Sequence, residues 1–95
     1  MSTYVIVAIH LEGARRHESI TKVRWKTPGS AGMFDGEEPV STMINLIEAG
    51  HVVQSQGLGG TANAPVYVNH IGPKKFIESR ADSTIYNNLL SQPEF

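Results

Sequence analysis

Five cations fall within one short stretch, Arg15, Arg16, Lys22, Arg24 and Lys26, and the only acid among them is Glu18. Such a stripe on a solvent-facing strand surface can hold phosphates, and Lys74 and Lys75 could extend it. The same residues on the open face of an antiparallel sheet also serve as ordinary solvation. Phase separates the two readings. Binders of single-stranded nucleic acid interleave stacking aromatics with their cations on one surface, whereas Trp25 falls on the opposite phase from Lys22, Arg24 and Lys26.

The other chemistry-bearing residues form no recognisable pattern. His10, His17, His51 and His70 could bind a metal with carboxylate help, but no pair has ligand spacing, so no metal is expected. Gly57-Leu58-Gly59-Gly60-Thr61 suggests a phosphate cradle until its surroundings are considered. A phosphate loop needs a helix N-terminus behind it and a lysine within it, and here a strand follows. Serine, histidine and aspartate are present without a nucleophile elbow or paired carboxylates. Asp35, Glu37 and Glu38 precede a helix, where negative charge suits the macrodipole. A core this small also leaves little room for a pocket of roughly 300 Å3 with supporting residues behind it. No catalytic residue and no cofactor are implied.

Composition bounds what carries these groups. Ninety-five residues at 40% hydrophobic and 18% charged, with a net charge of -1, make one folded domain spanning residues 1–95 with no global pull toward polyanions. Without cysteine there is neither disulfide nor thiol chemistry, which fits a reducing cytosol. The N-terminal residues lack the basic region of a signal peptide, and no apolar run approaches the roughly 20 residues of a membrane-spanning helix. A soluble cytoplasmic protein is expected.

The elements follow from periodicity. Tyr4 to Leu11 reads as a central strand, with Val5, Val7, Ile9 and Leu11 as its better core row. A short connection to Ile20–Lys26 predicts an antiparallel hairpin, with Trp25 in the core beside Thr21 and Val23. A long turn-rich connection follows, in which Met33 and Phe34 either tuck against the core or lie exposed at a contact. Val40, Met43, Ile44 and Ile47 recur at helical spacing, with Ser41 or Thr42 as N-cap and Gly50 as C-terminal cap. Strands are expected over His51–Gln56, Pro65–Ile71 and Lys75–Arg80, with a turn at Ala81–Ser83. Leu89 and Leu90 then pin the tail, and Pro93 ends any regular element. The expected fold is α+β in the order ββαβββ, a mostly antiparallel sheet of about five strands with one helix on one face.

This sequence resembles a mainly bacterial group, domain-of-unknown-function family 3892. The carriers are Tyr4 to Ile9, Ile20-Thr21-Lys22-Val23-Arg24-Trp25, the helix end Leu46-Ile47-Glu48, and the tail from Asp82 to Pro93. Members commonly show an Asp-Gly turn and an Asp-Asn-Leu triplet, where this chain has Asp82-Ser83 and Asn87-Asn88-Leu89. The resemblance implies a compact bacterial domain and carries no activity with it.

On these grounds the expected function is a small non-enzymatic binding or accessory module. Its partner would be another protein or a second copy, met through open strand edges and the Met33-Phe34 contact. Nucleic-acid binding through Arg15, Arg16, Lys22, Arg24 and Lys26 is the alternative, and a small enzyme or ligand-binding domain stands third.

Overall fold

The computed structural model describes residues 2–14, 16–57, 62–79 and 89–95. Arg15, the glycine-rich stretch 58–61, and the expected turn and tail over 80–88 lie outside them. Among the described residues six strands, β1 (Thr3–Leu11), β2 (Ile20–Lys26), β3 (Gly36–Pro39), β4 (Val52–Ser55), β5 (Ala64–Ile71) and β6 (Lys74–Ser79), accompany one α-helix, α1 (Val40–Glu48), between β3 and β4. The α+β class holds, with one strand more than expected.

The strands lie in the order β3-β2-β1-β4-β5-β6. All neighbours are antiparallel except β1 and β4, which run parallel because α1 carries the chain back across the sheet. α1 touches β2, β3, β4, β5 and β6. A nine-residue helix is about 14 Å long, while six flat strands would span roughly 24 Å. The sheet must therefore curl around the helix, and β6 also meets the 3-10 turn His17–Ser19 that leads into β2.

The core lies between α1 and the concave face, with Ile6, Ile9, Val23, Met43, Ile77 and Leu89 fully buried. Val40 and Ile47 pack against it beside buried Met43 and Ile44, so the apolar stripe faces the sheet as its spacing predicts. α1 ends in a Schellman arrangement: Gly50 N–H donates to the Ile47 carbonyl (3.1 Å) and His51 N–H to that of Leu46 (3.0 Å), with Gly50 at φ +95°. The start differs from expectation. Neither Ser41 nor Thr42 caps it. β3 runs straight into α1, leaving Pro39 as N-cap with no side-chain hydrogen bond.

β1 also departs from simple alternation. The register with β2 shifts between Ile6 and Ala8, where Val7 is the extra residue of a bulge. Below the bulge Tyr4 and Ile6 face the core, and above it Ile9 and Leu11 do. The expected row of Val5, Val7, Ile9 and Leu11 is therefore only half right. Val5 is buried outside the core cluster, and Val7 turns to the outer face.

The strand missed by sequence, β3, carries two carboxylates and a proline, a composition that disfavours strand pairing on its own. Contacts with β2 hold it. Gly36 lies opposite Trp25, and a Cβ there would stand 2.7 Å from the indole ring. Asp35 N–H donates to the Trp25 carbonyl (2.7 Å).

Candidate functional site

The outer face of β1 and β2, away from α1, carries the cations. Lys22 is exposed opposite His10 of β1 and Pro39 of β3, Arg24 lies opposite Ala8 and Glu37, and Lys26 opposite Val5. Arg16 lies in the connection at the start of β2, exposed and 3.8 Å from Glu18. The strand cations thus share one face, but each meets different surroundings.

Arg24 is held on three sides. Its Nε donates to Glu37 Oε1 at 3.0 Å, and its guanidinium lies 4.7 Å from the Phe34 ring centroid and 4.2 Å from that of Phe95. Each stack of this kind contributes about 0.5–1 kcal/mol where partly exposed. Glu37 answers the charge of Arg24, so this position offers little unmatched potential. Among the described residues Lys26 forms no ion pair.

Two segments wall the groove beside Arg24. The first is the connection from β2 to β3, gathered by Asp35, whose carboxylate accepts from Thr27 N–H (2.8 Å), Ser30 Oγ (2.9 Å) and Thr27 Oγ1 (3.1 Å). These bonds, the backbone N–H of Thr27 foremost, hold the Asp35 carboxyl below its usual range. Asp35 and Glu37 thus close a turn and match a cation; they do not serve the helix dipole, and α1 has no acid in its first turn. The turn holds Met33 at 88% exposure and Phe34 at 41%. Of the two placements open to them in sequence, they take the exposed one.

The second wall is the tail. Leu89 is fully buried, and Gln92, 1% exposed, donates from Nε2 to the Gln56 carbonyl at 2.7 Å. Beyond them the chain pairs with the upper half of β1: Ile9 N–H donates to the Pro93 carbonyl (2.9 Å) and Phe95 N–H to the Ile9 carbonyl (3.0 Å). The 3-10 turn Leu89–Ser91 stops before Pro93, as expected, and beyond it the chain makes only an isolated bridge to β1, in which Pro93 still takes part. It supplies an acceptor, for which no N–H is needed, and the tail takes the place beside β1 that β4 vacates after Ser55. His10 Nδ1 also meets the Phe95 backbone oxygen.

Between these walls lies a half-open groove of ≈ 390 Å3, floored by Val7 and Ala8 and lined by Arg24, Lys26, Met33, Phe34, Gln56 and the tail. Its volume exceeds the roughly 300 Å3 that a core of this size was not expected to hold. The reason is its location: it is built on the open sheet face, not within the core. The structure joins Arg24 and Lys26 to Met33 and Phe34 and leaves Lys22 and Arg16 outside. Sequence reasoning missed Val7, Ala8, Gln56, Pro93, Glu94 and Phe95. An aromatic residue at Phe95 was the only signal available, since the bulge that turns Val7 outward leaves no mark in the sequence pattern.

The histidines are dispersed. His51 Nδ1 accepts from Ser2 N–H (3.1 Å), His70 Nδ1 meets the Gly72 carbonyl (3.3 Å), and His10 meets the tail. Burial lowers the His17 pKa, with Glu78 and Glu18 opposing that shift. No three histidine, aspartate or glutamate side chains gather as a metal site among the described residues. No helix there is long and apolar enough to cross a membrane.

Fold and groove together define an α+β domain with a curled, mixed six-stranded sheet and a contact groove on its outer face. The chain belongs to the family described as protein of unknown function (DUF3892), whose model matches residues 5–93. No curated protein and no solved structure matches it.

Proposed function

We propose that this protein is a small non-enzymatic binding module of the bacterial cytosol, and that it meets a protein partner through the groove between the Met33-Phe34 turn and the tail. The observation that supports it is the convergence of exposed Met33 and Phe34 on an apolar floor of Val7 and Ala8. Large apolar side chains held beside a preformed groove are what a protein contact uses. Edge pairing is a weaker route, because β3 is short and carries Glu37, Glu38 and Pro39, all of which discourage strand addition. Capture from nuclease-treated host lysate by wild type and by Phe34→Ser tests the reading. A protein retained by wild type and lost by the variant supports it, and identical capture sinks it.

One observation favours a second reading, nucleic-acid binding. Trp25 is on the wrong phase, yet Phe34 and Phe95 stand on the same face as Lys22, Arg24 and Lys26. It ranks second because Glu37 already matches Arg24 and both rings are engaged with that guanidinium. Fluorescence anisotropy with single-stranded oligonucleotides decides it: unchanged binding in the Lys22, Arg24 and Lys26 to Ala variant removes this surface.

A further inference from the structure

We infer that the seam between the His17–Ser19 turn and β6 is an acid-opened clasp: protonation of His17 parts the curled sheet there, locally, before the molecule unfolds. In the sheet β1, β4 and β5 separate β2 from β6. Among the described residues no strand pairing joins β6 to β2. Apart from α1 lying across the concave face, the curl is closed where the turn leading into β2 packs on β6. A closure made by packing, without a ladder of backbone hydrogen bonds, can open while the strands on either side stay paired. Ile20, only 2% exposed, follows the turn directly, so opening uncovers apolar surface at the start of β2.

His17 gives this seam its trigger. Its Nε2 is buried with no hydrogen-bond partner. A neutral ring can carry its proton on Nδ1 and leave only a lone pair on that atom. The imidazolium must place an N–H there, and a charge behind it, with no acceptor to receive them. The charged groups facing the ring are Glu78 from β6 and Glu18 from its own turn. Each already has a partner: Glu78 Oε2 accepts from Asn69 Nδ2 at 3.0 Å, and Glu18 lies 3.8 Å from Arg16. They oppose the effect of burial without exceeding it, so acid favours the open form, in which water reaches the whole ring. Thr21 Oγ1, near the same end of β2, is also buried without a partner and adds to the cost of the closed form.

Amide hydrogen exchange of the full chain by NMR, between about pH 5 and 7.5 and corrected for the intrinsic rate, tests the clasp. Its reporters are Ser19 N–H, bonded to the Arg16 carbonyl, and Ile20 N–H, bonded to that of His17. The reference is Gln56 N–H, bonded to the Ile6 carbonyl in the middle of the sheet. Opening at Ser19 and Ile20 should rise by up to about tenfold per pH unit as pH falls below about 6.5, ahead of any change at Gln56. His17→Gln, which cannot take the proton, should make it independent of pH. Glu78→Gln removes the stronger opposing charge and should extend the rise to lower pH. Opening that is flat with pH, that rises equally at Gln56, or that keeps its pH dependence in His17→Gln overturns the inference. So does greater protection in acid, the sign of an imidazolium that tightens the seam onto Glu78. Where His17→Gln does not fold, the wild-type ring titration decides: His17 should titrate below 6.5, and a value at or above 6.5 overturns the clasp.

Discussion

Gly36 against Trp25 is the tightest glycine contact among the described residues. The indole stacks edge-on against Tyr4 at 5.1 Å and covers the position where any larger residue at 36 would place its Cβ. Gly36→Ala should therefore push the ring from its place and cost about 1–3 kcal/mol, read as a lower urea midpoint. His17 sets a pH dependence. Burial favours its neutral form, so its folded pKa lies below the ordinary 6.5. Between the two values the unfolded chain binds more protons. Stability is accordingly full above about pH 6.5 and falls as pH drops through that window. His17→Gln should flatten this slope in urea titrations between pH 5 and 7, while an unchanged slope would place its origin elsewhere. Asp35 acts lower: its depressed pKa contributes stability that is lost as pH falls below the usual 3.8. Most residue identities at this scale were legible in sequence, Trp25 as a core residue included. Partners were not, because Glu37 reaches Arg24 only when β3 lies beside β2.

Among the elements, α1 is the most local. Its stripe and its terminal glycine both act within a few residues, which is why the sequence predicts its core face and its end. Gly50→Ala places a side chain at φ +95° and should cost about 1 kcal/mol, and Met43→Ala, emptying a fully buried site, about 2–5 kcal/mol by thermal or urea unfolding. β1 shows the opposite case. Counting by twos along Tyr4 to Leu11 gives the wrong core row on one side of Val7, since a bulge is decided by the partner strand and by what must fill the core on each side of it. The tail is an element only by virtue of β1. Removing Pro93–Phe95 deletes two backbone hydrogen bonds to Ile9 and should cost about 1–3 kcal/mol. Hydrogen exchange gives a sharper check: the Ile9 amide should lose protection while those buried under α1 keep theirs.

At the scale of the whole molecule, a curled sheet around a short helix closes one face as core and leaves the other to be furnished by loops and tail. The groove therefore lies on the convex face, and the two proposed readings of that face respond differently to salt. A protein contact resting on Met33 and Phe34 should change its dissociation constant by less than about tenfold between 0.05 and 0.5 M salt. Nucleic acid held by three cations should lose roughly a hundredfold over the same range. Sequence by itself determined the α+β class, the helix and its core face, β2 with its two phases, the hairpins, and the burial of Leu89, because each is written in periods of two or 3.6 residues or in turn residues acting on near neighbours. Only the tertiary structure decided the parallel pairing of β1 with β4, the existence of β3, the bulge at Val7 and the seating of the tail. Those features rest on contacts between residues far apart in the chain, whose energies appear only once the sheet has curled, and together they gather Arg24, Lys26, Met33 and Phe34 around one groove.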